Sequence, residues 1–376
     1  MARAPLAINS PGIAVQIENS INPEIESTRA ISAFVRGTIP AGTSNTCSSV
    51  SFTLIPNFII SLNLSEFTNS NDPHHTPRVV PELPEVETVR RGLHLHLSGG
   101  KITEVEIRRS DLRFPFPVDF VDNLLNRTIE CVERRAKYLL IRLDQGGTWL
   151  CHLGMSGRWT ILGDGIESAP GRFANGAVVG NGDGPHDWVV VSLDDGTKAV
   201  YSDHRRFGFM DYFQTSMQDE HRLLSHIGPE PTPEQLTPEI LANALRSRKT
   251  PIKSALLDQR IVAGLGNIYV CEILHRAGVS PKKSASTIAG KRGIPSKIEK
   301  ITGSTHDVIV EAIDAGGSTL QDFRGVRGEE AMGYFSHNFL VYGREGERCL
   351  KDNCNGEILR ITQSNRSTFF CPKCQQ

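Results

Sequence analysis

Long apolar runs are scarce in this 376-residue chain. The best, Val50 to Leu64, is broken by Pro56, Asn57, Ser61 and Asn63, so no membrane-spanning helix is expected. Nor does the amino terminus show the basic, apolar and cleavage-site order of a signal peptide, and support for an organelle transit peptide is weak. Charge is scarce at the front: residues 1–80 carry four Arg and five Asp/Glu, are rich in Ser, Thr, Asn and Pro, and keep no sustained helical or strand period. That stretch reads as disordered or not native. Methionine is absent between Met1 and Met155. Paired cysteines are absent over most of the chain, since Cys47, Cys131, Cys151 and Cys271 are scattered singly. They read as reduced, mostly buried thiols of an intracellular protein with no disulfide framework, and the cytoplasm is the expected compartment.

The near absence of net charge, −1 overall, conceals a local excess. Residues 244–300 hold 12 Lys/Arg against Asp258, Glu272 and Glu299, a surplus of nine. Such a cluster is either a solvated face or the footprint of a polyanion. From Pro84 the pattern becomes ordered, with Val86, Val89 and Leu93 on one face of a helix that has proline in its first turn. Lys101 to Phe213 reads as β, with strands at 102–107, 138–143, 148–153 and 188–193, the last paired with 197–202 through Asp195-Gly196. Gly146-Gly147 serves the preceding hairpin, and the Gly-rich 163–184 reads as a surface insertion. Several alternating strands in so short a span predict a two-layer sandwich. After Gly228-Pro229-Glu230-Pro231 the period turns helical, over 240–248, 252–259, 268–277 and 298–315. Thr250-Pro251 is the expected start of the second of these and Gly316 the stop of the last. Gly325 to Gly333 reads as a mobile loop.

Four constellations carry chemistry. Cys349-x4-Cys354 and Cys371-x2-Cys374, sixteen residues apart, supply four thiolates in two short turns, the requirement for one tetrahedral, structural Zn²⁺. Between them lies a β-hairpin whose tip carries Arg366, either a solvated turn or a reach toward phosphate. The turn Gly264-Leu265-Gly266-Asn267, with Lys253 upstream, is either a helix-packing turn or a phosphate cradle. Met155 and Phe207 sit on loops at strand ends. They are ordinary core residues or, with Arg205, an apolar wedge and a cation suited to a duplex from which a base has left. His94 and His96 lack a third ligand and read as structural.

Together the residues resemble the formamidopyrimidine-DNA glycosylase family across Pro81 to Gln376. The likeness rests on Pro81-Glu82-Leu83-Pro84-Glu85-Val86-Glu87-Thr88, on Arg134-Arg135-Ala136-Lys137-Tyr138-Leu139-Leu140, and on the loop His152 to Gly157. Arg205-Arg206-Phe207-Gly208, the turn Gly264 to Tyr269 and the terminal cysteines complete it. The resemblance implies an α+β architecture: a β-sandwich with a flanking helix over 81–215, a helix-two-turn-helix domain over 216–335, and a zinc-finger β-hairpin over 336–376. It implies a monomer acting on duplex DNA that contains oxidised purines or abasic sites. Pro81 is then the nucleophile at sugar C1′ and Glu82 the acid for the sugar ring oxygen, with Glu85 in support. Lys137 and Arg366 assist the elimination steps that cut the strand. His186, Arg205, Arg248, Lys253 and Asn267 match DNA-contact positions; Met155, Arg205 and Phe207 fill the void left by the flipped base; and the loop Arg324 to Tyr334 covers it. The first cysteine pair departs from the family's usual Cys-x2-Cys, and Asn365 replaces a usual glycine.

The proline's position conflicts with this chemistry, because only a free terminal proline carries a secondary amine able to attack carbon. A start of translation at Val80, read from a GTG codon, followed by removal of the initiating methionine, would expose Pro81 and is the expected resolution. Proteolysis before Pro81 and a truly extended chain are the other readings. An extended chain implies a non-catalytic protein that binds damaged DNA, whereas the related endonuclease VIII type would prefer oxidised pyrimidines.

Overall fold

The computed structural model describes residues 81–163, 182–318, 335 and 338–376, together with strands at 14–19, 31–38, 51–54 and 166–168. Two compact units result, Met1–His75 and Thr76–Gln376. In the first, β1 (Ala14–Asn19), β2 (Ile31–Thr38) and β3 (Ser51–Leu54) form an antiparallel sheet in the order β1-β2-β3. The expectation of no regular structure over 1–80 is corrected for these strands. β1 and β2 pair over six positions, Ala14 with Thr38 through Asn19 with Ala33, a regularity that supplies what the weak sequence period does not. The rest of that stretch up to residue 80 lies outside the described residues.

The second unit begins with α1 (Leu83–Leu97), its proline in the first turn and Val86, Val89, Leu93 and Leu97 buried. β4 (Ile102–Ile107), α2 (Phe120–Leu124), β5 (Ile129–Arg135), β6 (Tyr138–Leu143), β7 (Gly147–His152), β8 (Arg158–Gly163), β9 (Ile166–Ser168), β10 (Asp187–Leu193), β11 (Lys198–Ser202) and β12 (Phe209–Gln214) follow. They make two antiparallel sheets, β4-β10-β11-β8-β9 and β12-β7-β6-β5, the expected sandwich. Its core interleaves side chains of both layers: Trp149 from one meets Trp159 from the other edge to face, ring centres 5.5 Å apart. At the Asp195-Gly196 turn Gly196 takes φ +87°, a left-handed conformation that favours glycine. The presumed surface insertion is partly sheet, because Gly163 and β9 extend the five-stranded layer, with Gly163 opposite Ile166; residues 169–181 lie outside the described set.

The helical layer contains α3 (Pro238–Leu245), α4 (Ile252–Leu256), α5 (Asn267–Arg276), α6 (Ala285–Ala289) and α7 (Ser296–Asp314). Thr237 caps α3 by accepting the Ile240 N–H at 3.3 Å, whereas the expected Thr250 cap of α4 is not made. Pro251 occupies that position, without a side-chain cap, and the Ile252 N–H goes to the Lys283 carbonyl at 2.7 Å. Gly316, at φ +74°, follows the end of α7 as expected. α1 belongs to both layers: Leu83 lies in the helical core, while Val86 to Leu97 lie in the sandwich core. The chain ends in the hairpin β13 (Leu359–Gln363) and β14 (Arg366–Phe370), joined through Ser364 and Asn365 at φ +48° and +58°. Among the described residues no helix is long and apolar enough to cross a membrane.

Candidate active site and nucleic-acid interface

Pro81 is buried where α1 meets the turn before α5. The Leu83 N–H donates to the Gly264 carbonyl at 3.1 Å, and the Glu82 carboxylate accepts the Ile268 N–H at 3.1 Å. This contact explains the glycine at 266, since a Cβ there would stand 2.1 Å from Glu82 Cδ. The other Glu82 oxygen, Oε2, is buried without a hydrogen-bond partner. Burial raises the Glu82 pKa to about 7, the neighbouring Glu85 adds to the rise, and Lys137 and the Ile268 and Tyr269 amides oppose it. A proton donor ready at neutral pH therefore stands beside Pro81.

Glu85 does different work. Its carboxylate accepts the Glu82 N–H at 2.9 Å, the Tyr269 hydroxyl at 2.6 Å, and the Ser318 N–H and hydroxyl, both at 2.7 Å. It thereby fixes the backbone at Glu82 against α5 and the segment after α7. Tyr269 and Ser318 were not singled out by sequence, because their use depends on a carboxylate 184 and 233 positions away. Half-buried Lys137 leaves the β5–β6 turn next to Ala136, which holds φ +53°. Desolvation lowers the Lys137 pKa, Glu82 supports its charge, and the nearby Arg366 lowers the pKa further. The sandwich, α1 and the tip of the terminal hairpin thus converge on one site.

The expected void-filling residues come from two adjoining loops. Gly154, at φ +63°, lies so near the second loop that a Cβ would stand 2.3 Å from Gly208 N. Asp203, a buried residue to which the sequence assigned no role, organises them: its carboxylate accepts the Ser156 hydroxyl, the Arg206 N–H at 3.0 Å and the Gly208 N–H at 2.8 Å. The Arg205 guanidinium lies over the Phe207 ring at 4.8 Å, and Phe207 itself is 36 % exposed. Met155 is half-buried, and His186 is exposed with its ring 6.2 Å from that of His204.

Lys253 is fully buried, and its ammonium donates to Asn267 Oδ1 at 2.6 Å, the Ser367 carbonyl at 3.0 Å and Thr368 Oγ1 at 2.7 Å. Asn267 also donates to the Ser367 carbonyl at 2.9 Å. These two residues join the helical turn to the hairpin carrying Arg366, and any phosphate contact by Lys253 would have to exchange one of these acceptors. Arg248 stands apart, its guanidinium 3.7 Å from the Asp258 carboxylate and 41 % exposed. Residues 319–334, including the expected covering loop Arg324 to Tyr334, lie outside the described residues.

The cysteine group forms as expected. Sγ atoms of Cys349, Cys354, Cys371 and Cys374 all lie within 4.8 Å of one another, with Cys349–Cys374 at 3.8 Å and Cys354–Cys371 at 3.6 Å. Four thiolates about 2.3 Å from one tetrahedral ion stand about 3.8 Å apart, so the group fits a metal with no coordination position left for substrate. The longer first turn is accommodated by Asn353 at φ +58°. His275, unpredicted, places Nε2 3.3 Å from Cys349 Sγ as an outer partner of the group.

Models of the formamidopyrimidine-DNA glycosylase N-terminal domain and H2TH domain match residues 80–210 and 227–324. The chain is 49 % identical over 297 residues to the formamidopyrimidine-DNA glycosylase of Ruegeria pomeroyi and 47 % identical over 300 residues to that of Brucella ovis. Each match covers 79 % of this chain and 100 % of the relative. Among solved structures, a Lactococcus lactis Fpg complex with abasic-site DNA aligns at TM-score 0.64 and 32 % identity, covering 79 % of this chain and 100 % of that one. A complex of the same protein with DNA containing an oxidised pyrimidine matches equally well.

Proposed function

Because the chain belongs to the formamidopyrimidine-DNA glycosylase family, base-excision DNA glycosylases with AP lyase activity that remove oxidised purines, we propose that Pro81 becomes its amino terminus and nucleophile. The observation that carries this reading is Glu82: a carboxyl held protonated to about pH 7 by burial, one oxygen unpartnered, one residue from Pro81. The neutral Pro81 amine adds to C1′ of the damaged nucleotide while the base departs with the electron pair of the C1′–N bond and takes up a proton. Glu82 gives its proton to the ring oxygen as the C1′–O bond opens, and loss of the amine proton leaves an iminium. That cation acidifies the C2′ proton; its removal expels the 3′ phosphate, and a second elimination expels the 5′ phosphate. Lys137 and Arg366 supply positive charge where these phosphates leave.

His186, Arg205, Arg248, Lys253 and Asn267 serve the bent duplex, and Met155, Arg205 and Phe207 occupy the space of the flipped base. The four cysteines hold one structural Zn²⁺, which fixes the hairpin and takes no part in bond breaking. The enzyme works as a monomer in the cytoplasm. A start at Pro81 is supported by the match of 79 % of this chain to 100 % of each relative.

Borohydride trapping on duplex containing 8-oxoguanine tests the reading. A chain starting at Pro81 should be frozen onto DNA and the 376-residue chain should not. Equal trapping by both would overturn the role of the free amine. Preferential cutting of thymine glycol duplex would instead favour the oxidised-pyrimidine reading, to which the Lactococcus lactis complex gives some weight.

A further inference from the structure

The β5–β6 turn that presents Lys137 is held from outside its own sheet. Glu230, 8 % exposed in the Gly-Pro-Glu-Pro segment between sandwich and helices, receives three groups of that turn. Arg134 Nη1 donates to one carboxylate oxygen at 2.8 Å; Arg135 Nη1 at 2.8 Å and the Ala136 N–H at 2.7 Å donate to the other. Arg135 also reaches the Ile227 carbonyl at 2.9 Å and that of Gly228 at 2.6 Å. Arg134 extends to Glu87 on α1 at 3.1 Å, so the linker, the turn and the helix behind Glu82 share one ion-pair network.

Ala136 is the informative member. Its φ of +53° is a conformation that a residue with a Cβ adopts at a cost, and the N–H that Glu230 captures belongs to this residue. Lys137 is the next residue. Its backbone leaves the turn in a direction set by Ala136, and its side chain reaches the neighbourhood of Glu82.

We propose that Glu230 is a positioning residue for the reaction: its carboxylate fixes the strained turn at Ala136 and with it the placement of Lys137 in the neighbourhood of Glu82. The inference rests on the reading of Pro81, Glu82 and Lys137 given above. Glu230 touches no reacting atom, and its effect passes through the Lys137 ammonium. In the chain starting at Pro81 the titratable groups around Glu82 are the Pro81 amine, Lys137 from the turn, Glu85 from α1, Lys253 from α4, Tyr269 and Cys271 from α5, and Tyr342; among them only Lys137 adjoins the turn that Glu230 holds.

The test uses the chain starting at Pro81 with Glu230→Gln, Glu230→Ala, Lys137→Ala and the double variant Lys137→Ala/Glu230→Gln. Carbon-13 NMR of the Glu82 carboxyl in DNA-free protein reads the electrostatic influence of Lys137 on Glu82 without any turnover. Its titration should move to higher pH in Lys137→Ala, and in the same direction in both Glu230 variants, because a displaced ammonium no longer favours the carboxylate. Adding Glu230→Gln to Lys137→Ala should produce no further shift. An unchanged Glu82 titration in a folded Glu230→Gln protein overturns the proposal, as does full additivity in the double variant. Single-turnover cutting of 8-oxoguanine duplex forms the second arm. The rate should fall at least tenfold in Glu230→Gln with duplex affinity within twofold of the parent, and the alkaline limb should rise with the NMR titration. An inactive parent chain whose NMR shifts follow this pattern would count against the reading of Pro81 and leave the Glu230 placement supported.

Discussion

At Glu82 the demands of stability and of chemistry oppose each other. Unfolded, this carboxyl releases its proton near 4.5; folded, it keeps the proton to about 7, because burial disfavours the charged form more than Lys137 and two amides favour it. The fold binds the extra proton throughout that window, so stability falls as pH rises from 4.5 to 7 and the full burden, about 3 kcal/mol, is present above it. Glu82→Gln removes the ionisation while keeping an oxygen for the Ile268 N–H. The variant should melt at a higher temperature than the parent at pH 8 and at nearly the same temperature at pH 4.5, while cutting 10²- to 10⁴-fold more slowly. Scanning calorimetry at the two pH values checks this, and a variant destabilised at pH 8 would show that the carboxylate is better paired than its unpartnered oxygen indicates.

At the scale of elements, the terminal hairpin owes its position to contacts at both ends. The four cysteines gather its base, where Gly356 is needed because a Cβ would stand 2.5 Å from Cys371 Sγ. Near its tip Lys253 and Asn267 bind the Ser367 carbonyl. Removing the metal with a chelator, or substituting Cys354→Ser, should loosen 359–370 and leave the sandwich intact. Hydrogen exchange should accelerate in β13 and β14 and stay slow in β6 and β7, duplex binding should be lost, and metal analysis should give one zinc per parent chain. Full protection of the hairpin without metal would contradict this. The cysteine pairs were legible because their spacing alone fixes their use, and β6 and β7 because their apolar runs are bounded by turn residues. Four strands of the sandwich were not, β9 among them because it lies in the Gly-rich stretch read as an insertion. β5 carries Glu130, Glu133, Arg134 and Arg135, with Glu133 paired to Arg142 on the next strand and both arginines to distant Glu230, and β8 buries Arg158 and Thr160 among its apolar side chains, erasing the alternation. β12 leaves Asp211 and Tyr212 half-buried in succession and shows no clear period either. The helices α2 and α6, five residues each, are too short to show a period. Asp203 and Glu230 were visible as letters inside motifs, but their roles depend on which backbone amides the fold brings to them.

Across the whole molecule, α1 ties two cores together and leaves Pro81 and Glu82 at their junction, while charge is distributed very unevenly along the chain. The net of −1 includes a surplus of nine positive charges over 244–300, most of it on exposed side chains of the helical layer. Some of these cations are already paired: Arg276 with Glu311 at 2.6 Å and Arg260 with Asp258 at 2.7 Å. Arg248 shares the same Asp258 at the longer distance of 3.7 Å and is free to give up that contact to a phosphate. Affinity for any duplex should therefore fall steeply with salt, as released counterions require, whether or not the duplex carries a lesion. Arg248→Ala should weaken binding to damaged and undamaged duplex by the same factor and reduce the slope of log affinity against log salt by about 0.9, the contribution of one phosphate contact. Fluorescence anisotropy between 50 and 200 mM salt, on about the range where such slopes are resolved, measures both quantities. A loss confined to lesion-bearing duplex with an unchanged slope would move Arg248 from the phosphate backbone to the recognition of the flipped base, and the basic helices would then need another explanation for their charge.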